Sequence, residues 1–257
     1  MLKKYLGQNF LFDPSILHRI IDVSGVTHND LVVEIGPGFG RLTKMLAEAA
    51  KKVIAIELDS ELFKKLKDEL KEFNNIELVN EDVLKYPFEK LEPFKVVSNI
   101  PYYITTPIIF RLLEARKNLI SMTLTIQKEV AERIVAKPDT KDYGVLTLSV
   151  QYYTEPEIKF IIPKGAFRPI PKVDSAVIRM EMLKKPRVKI SDQKLFFRII
   201  KAGFAQRRKT LANALKPIAG DVKEILIKAG IEPLRRAETL TIEEFAGLTD
   251  VIKEAER

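Results

Sequence analysis

The sequence predicts an α/β fold, a mostly parallel sheet flanked by helices, with a small all-helical domain at the C-terminal end. Three observations carry that expectation. Short apolar, β-branched runs alternate with segments of helical periodicity over most of the chain, the first clear strand runs directly into a glycine turn and a helix, and beyond Lys184 the pattern is purely helical. Connections too long for hairpins predict parallel strands with right-handed crossovers.

In chain order, a basic N-terminal segment precedes a helix for which Asp13 is the N-cap and Pro14 the first residue. Leu31 to Val33 predicts a buried strand, and it enters the turn EIGPGFG (Glu34 to Gly40), from which RLTKMLAEAA continues as a helix. KVIAIELD (Lys52 to Asp59) is the second strand. The helix over Ser60 to Glu72 spaces Leu62, Phe63, Leu66 and Leu70 on one face. IELVNED (Ile76 to Asp82) is the third strand, and FKVVSNIPYY (Phe94 to Tyr103) the fourth, running into a proline turn. A helix over Thr106 to Arg116, a strand over Leu119 to Gln127 and the helix KEVAERIVA follow. Asp139 to Gly144 is a polar loop. VLTLSVQYY has strand composition but sits where a helix fits, and is read as a helix. EIKFIIP and DSAVIRMEML predict a closing antiparallel pair around the loop GAFRPIPKVDS (Gly165 to Ser175). LFFRIIKAGF, QRRKTLANAL, DVKEILIKAG and TIEEFAGLTDVIKEA then read as short helices. The boundary near Lys184 to Lys189 divides the chain into residues 1–185 and 186–257.

At 257 residues with 46% hydrophobic content, the chain has enough material for one large core and a small second one. There is no apolar run of about 18 residues and no secretory leader pattern, which sets the expectation of a cytoplasmic protein with no membrane partner. With no Cys and only the isolated His18 and His28, neither a disulfide framework nor a metal cluster is expected. The formal net charge is +8, yet Ile178 to Lys216 alone carries 12 basic and 2 acidic residues, against 31 basic and 33 acidic elsewhere. That excess, interleaved with Phe196, Phe197 and Phe204, predicts a nucleic-acid backbone footprint that includes Arg207, Arg208 and Lys209.

An open parallel sheet binds its ligand outside the carboxyl ends of its strands. The glycines of EIGPGFG, Gly36 and Gly38 among them, let a ligand approach the backbone, but Arg41 stands where a dinucleotide fingerprint needs its third glycine. Glu57, 21 residues after Gly36, is placed to accept bonds from ribose hydroxyls, and Asp82 to accept from an adenine amino group. An adenosine ligand without pyrophosphate fits, and S-adenosylmethionine is the cofactor inferred. The chemistry at Asn99 to Tyr102 fits an exocyclic amine acceptor. The Asn99 amide oxygen and the Pro101 carbonyl accept its hydrogens and localise the lone pair towards the methyl group. Tyr102 and Phe167 are candidates to clamp the target ring, with Phe167 equally readable as a hydrophobic plug.

QNFL (Gln8 to Leu11), EIGPGFG, IELD (Ile56 to Asp59), ED (Glu81, Asp82), NIPY (Asn99 to Tyr102), FRPIPKVDS (Phe167 to Ser175) and QRRKTLANAL (Gln206 to Leu215) occur in one order along the whole chain. Together they resemble the KsgA/RsmA family of ribosomal RNA small-subunit adenine dimethyltransferases. The resemblance implies a class I S-adenosylmethionine-dependent methyltransferase fold with a helical, RNA-binding C-terminal domain. It implies dimethylation, at the exocyclic nitrogen, of two adjacent adenosines in the 3′-terminal hairpin loop of 16S rRNA, with the 30S precursor as partner and a monomer as the default. Cofactor contacts carried over from the family are Asn9, Leu11, Gly36, Glu57, Asp82 and Asn99; the flanking Gln8, Gly38, Leu58 and Val83 complete the expected lining. Ala212 and Ala214 depart from the bulkier or polar residues often found beside Asn213 in relatives. The rivals are a 23S rRNA adenine dimethyltransferase of the macrolide-resistance type, against which QRRKTLANAL speaks, and a non-catalytic ribosome-assembly factor.

Overall fold

The structure, a computed structural model, describes residues 9–255. The chain divides into two compact units, one formed by residues up to 131 with 155–182, the other by 132–154 with 183 onward. The first opens with β1 (Phe10–Leu11) and α1 (Pro14–Ser24), where the Asp13 carboxylate accepts the Ser15 N–H at 2.9 Å as the N-cap. Then β2 (Leu31–Ile35), α2 (Arg41–Ala49), β3 (Lys52–Ile56), α3 (Ser60–Glu69) and β4 (Ile76–Val79) alternate, as the period-switching pattern predicts. After them come β5 (Phe94–Asn99), α4 (Thr105–Glu114), β6 (Leu119–Gln127) and α5 (Lys128–Ile134), then α6 (Val145–Gln151), which belongs to the second unit, and then β7 (Thr154–Ile162), β8 (Phe167–Arg168) and β9 (Ser175–Met182).

Among the described residues seven strands form one sheet in the order β4-β3-β2-β5-β6-β9-β7. The pairs from β4 to β6 are parallel, and β9 runs antiparallel to β6 with Gln127 opposite Ser175. All five residues of β2 are buried, because a parallel strand in the middle of such a sheet has helices on both faces. The chain leaves β2 in one direction through β3 and β4 and returns on its other side as β5, which makes the β2/β5 junction the switch point of the sheet. Two strands end earlier than their apolar runs. β5 stops at Asn99 because Pro101 lacks an N–H, and the chain turns there into a 3₁₀ segment over Tyr102–Ile104. β4 stops at Val79, leaving Asp82 on the loop beyond it.

A second, two-stranded sheet pairs Phe10 with Arg168 and Leu11 with Phe167. It joins segments far apart in sequence, and no local signal announces it. Its consequence is a correction: Phe167 is fully buried, packed into the core with Leu11, Leu17, Ile20 and Val177, so its ring is the hydrophobic plug and offers no face to a base.

The second unit is helical: α6, α7 (Gln193–Ala205), α8 (Leu211–Ala214), α9 (Val222–Lys228) and α10 (Ile242–Ala255). Residues 132–154, assigned from sequence to the 1–185 domain, group with these helices because Tyr152 and Tyr153 at the end of α6 pack on Phe196 and Phe197 of α7. Phe204 packs likewise against Tyr143 and Phe245; Phe196 and Phe245 are fully buried, whereas Phe197 and Phe204 are half-buried. QRRKTLANAL is also less helical than its composition predicts. Only Leu211–Ala214 is helix, and the basic triplet lies in the turn before it. Among the described residues no helix is long and apolar enough to cross a membrane, and no group of three or more acidic, His or Cys side chains is placed to hold a metal ion.

Candidate active site

The carboxyl ends of β2, β3, β4 and β5 meet around a cleft of about 760 Å³, counting its open mouth. Asn9, Gly36, Gly38, Glu57, Leu58, Asp82, Val83, Asn99, Pro101 and Tyr102 all line it. Of the other site residues expected from sequence, Leu11 is buried and borders a smaller neighbouring pocket, Phe167 is in the core, and Gln8 lies outside the described residues.

The glycine turn is shaped by what crosses it. Gly36 and Gly38 have φ of +67° and +60°, the left-handed region that side chains avoid. At Gly38 a Cβ would in addition sit 2.6 Å from the Phe10 ring. Phe10 rests there because it also packs on Phe39 at 4.5 Å between ring centroids, and Phe12 lies between Phe39 and the Arg41 guanidinium. The N-terminal strand thus closes over the turn, so Phe10, which sequence reasoning passed over, is a wall of the cleft. Its only signal was its place inside QNFL.

Glu57, 5% exposed at the end of β3, accepts the Asp59 N–H at 2.8 Å through one carboxylate oxygen and the Gly38 N–H at 3.4 Å through the other. It braces the turn while leaving lone pairs towards the cleft. Burial pushes its carboxyl above the ordinary value, opposed by those backbone N–H groups. Asp82 accepts the Leu84 N–H at 3.0 Å, which fixes one of its oxygens.

Asn99 donates its side-chain amide N–H to the Asn9 carbonyl at 2.9 Å. A carbonyl oxygen can only accept, so the group facing it must be the NH₂, and the Asn99 amide oxygen is turned the other way. The Pro101 carbonyl accepts the Ile104 N–H at 3.2 Å within its turn, and its other lone pair is met only at 3.4 Å by the Thr105 hydroxyl, whose one hydrogen also reaches the Tyr102 carbonyl at 3.3 Å. Two hydrogen-bond acceptors therefore stand at one end of the cleft, with Tyr102 beside them. Tyr103, 54% exposed at the mouth, is a lining residue that sequence reasoning missed.

Behind the turn, Glu34 is 2% exposed and one of its oxygens has no hydrogen-bond partner. Burial pushes its carboxyl up to about 8, with the Thr43 hydroxyl opposing and the negative Glu57 adding to the shift. A raised folded-state value means that the folded protein holds a proton the unfolded chain has released, so stability falls as pH rises from about 4.5 to about 8. Urea titrations at pH 5.5 and pH 8 are expected to show a loss on the order of 2 kcal/mol or more in the wild type. In Glu34→Gln most of that slope disappears, the remainder coming from Glu57, which is shifted in the same direction.

The model of the ribosomal RNA adenine dimethylase family matches residues 1–254. The chain is 50% identical over 256 residues to the "Ribosomal RNA small subunit methyltransferase A" of Clostridium botulinum (strain Langeland), covering 97% of this chain and 93% of that protein. It is 46% identical over 265 residues to the protein of the same name from Geobacillus thermodenitrificans, covering 97% and 90%. Among solved structures, a dimethyladenosine transferase from Plasmodium falciparum superimposes with a TM-score of 0.81 at 27% identity, over 93% of this chain and 95% of that one. The 23S rRNA methyltransferase ErmE does so with a TM-score of 0.75 at 30% identity, over 95% and 100%. With its sheet order, its cleft and these matches over nearly its full length, the chain belongs to the ribosomal RNA adenine dimethylase family.

Proposed function

We propose that this protein is an S-adenosylmethionine-dependent RNA methyltransferase that dimethylates two adjacent adenosines of the 3′-terminal hairpin loop of 16S rRNA at the exocyclic nitrogen. The observation that carries the reading is the convergence of Glu57, Asp82 and the Asn99-Pro101 acceptors on one cleft. The cleft suits the cofactor. Gly36 and Gly38, in the left-handed region, carry the backbone along the cleft wall, and two carboxylates beyond the ends of neighbouring strands accept from ribose hydroxyls and an adenine amino group. When bound, S-adenosylmethionine supplies an electrophilic methyl group. Gly36, Gly38, Glu57, Leu58, Asp82, Val83 and Asn99 would hold it, with Asn9 and Leu11 on the N-terminal side and Gln8 next to them in sequence.

The work left to the chain is on the nucleophile. An exocyclic adenine nitrogen is a weak nucleophile because its lone pair is delocalised into the ring. The Asn99 amide oxygen and the Pro101 carbonyl accept its two hydrogens, draw it towards a tetrahedral shape and localise the pair. No strong general base is required. The ring must leave its stack to reach the cleft, and Tyr102 receives it.

The small-subunit substrate is favoured over 23S rRNA by the 50% identity to small-subunit methyltransferases against 30% to ErmE. Catalysis is favoured over a purely structural role in assembly by the intact acceptor pair. The reading carries a cytoplasmic location, a precursor of the 30S subunit as partner, and a monomer as the acting form. Transfer of labelled methyl groups to 30S subunits lacking the modification, followed by nucleoside analysis, tests it. Dimethyladenosine in the small-subunit RNA is expected. Incorporation into 23S rRNA instead, or none while RNA and cofactor both bind, overturns it.

All three residues of the basic triplet are exposed, and Arg207 in addition donates to the Lys141 carbonyl at 2.6 Å and pairs with Glu238 at 3.2 Å. Replacing Arg208 and Lys209 together by alanine is expected to flatten the dependence of RNA affinity on salt by roughly 1 in log-log slope for each phosphate no longer neutralised, with cofactor affinity retained. Arg207→Ala is expected to lower the melting temperature as well. Filter binding across a salt series and a thermal scan check both.

A further inference from the structure

The loop Phe167 to Ser175 is held at both ends. Its first residues pair with β1 at the cleft wall. At its last, the Asp174 carboxylate accepts the Lys164 N–H at 2.9 Å, and its carbonyl accepts the Lys128 N–H at 3.0 Å. Ser175 follows as the first residue of β9, fully buried and in register with Gln127 of β6. Its backbone has little freedom to move. Its hydroxyl is hydrogen-bonded to the phenol oxygen of Tyr102, 73 residues earlier in the chain.

Tyr102 is only half-buried. It belongs to a single 3₁₀ turn, none of whose residues is fully buried, and one edge of that turn is the cleft itself. Thr105 contributes only long contacts, its hydroxyl donating at 3.3 and 3.4 Å to the carbonyls of Tyr102 and Pro101. A tyrosine ring that swings about its side-chain torsions cannot offer a fixed face to a base. One hydrogen bond at the far end of the ring removes that freedom, because the phenol oxygen is the atom most displaced by any rotation about the first torsion. Burial also keeps the phenol above its ordinary titration value, so it remains a neutral hydroxyl able to share a proton with Ser175.

We propose that Ser175 is a positioning residue for the methyl transfer: anchored in the β6–β9 ladder, it fixes through the Tyr102 hydroxyl the ring that receives the target adenine. The inference rests on the function proposed above. It assigns the serine of FRPIPKVDS to ring orientation, while Phe167 at the other end of the same motif is core.

The test is a cycle of Ser175→Ala, Tyr102→Phe and the double variant. Each is assayed for turnover on unmodified 30S subunits, for cofactor affinity, for melting temperature, and with a hairpin carrying 2-aminopurine at the target position. Each single variant is expected to lose about 3–10-fold in kcat, the equivalent of one hydrogen bond. The double variant is expected to lose no more than the worse single, with cofactor affinity within about twofold of the wild type. Stacking quenches 2-aminopurine, and both single variants are expected to quench it less while binding the hairpin as well as the wild type does. Turnover of Ser175→Ala within twofold of the wild type, or losses that multiply in the double variant, overturns the proposal. If Ser175→Ala does not fold, Tyr102→Phe decides alone, since it keeps the ring and removes only the tethered oxygen; wild-type turnover and quenching there overturn the proposal. Absence of methyl transfer by the wild type would instead reject the underlying function.

Discussion

Asn99→Ala is expected to lower methyl-transfer turnover by about 10²–10³-fold, the scale seen when one preorganised transition-state partner is removed. RNA affinity is expected to stay within a few fold. The separation follows from geometry. The amide oxygen of Asn99 is free for the substrate only because the amide nitrogen is committed to the Asn9 carbonyl. It therefore acts on the reacting nitrogen and not on the RNA backbone, so its loss falls on kcat more than on KM. Asn99→Asp is the sharper variant. It keeps an oxygen acceptor of the same size but sets a second oxygen against the Asn9 carbonyl, so it is expected to fail through misorientation, with loss of order in the β1 segment visible by hydrogen exchange. Single-turnover assays with saturating cofactor measure the first effect. Unchanged turnover in Asn99→Ala would reject the acceptor role.

Glu57→Ala is expected to weaken cofactor binding by about 100-fold or more. Two contributions add. The variant removes a carboxylate acceptor for ribose hydroxyls, and hydrogen bonds to a charged group are worth about 1.5–3 kcal/mol each. It also strands the Gly38 and Asp59 N–H groups that the carboxylate now accepts, which loosens the turn against which the ligand rests. Glu57→Gln keeps one oxygen and most of the volume, and is expected to fall between the two. Isothermal titration with S-adenosylhomocysteine measures the affinity. A wild-type value for Glu57→Ala would place the ribose elsewhere.

The fold class was written plainly in the sequence, because parallel strands buried on both faces produce continuous apolar runs and helices on the surface produce periodic ones. Leu31 to Ile35, Lys52 to Ile56 and Leu119 to Gln127 are examples that no tertiary detail could disguise. The positions of Glu57 and Asp82 followed equally directly, since residues just past the ends of parallel strands must gather on one edge of the sheet. VLTLSVQYY was harder, its strand-like composition being overridden by packing of its end on α7.

What only the tertiary structure decided concerns contacts between distant segments. The pairing of Phe10 and Leu11 with Arg168 and Phe167 buries an aromatic that sequence could equally have left exposed for stacking. The Phe10 ring over Gly38 gives that glycine a reason that turn geometry alone does not. The tie of Arg207, within the exposed basic triplet, to Glu238 depends on a side chain 31 residues away. The link from Ser175 to Tyr102 spans 73 residues. Local sequence sets backbone propensity and the direction of each side chain within its own element. Which partner a side chain then meets depends on how the elements pack, and that is settled by burial and hydrogen-bond satisfaction summed over the whole chain.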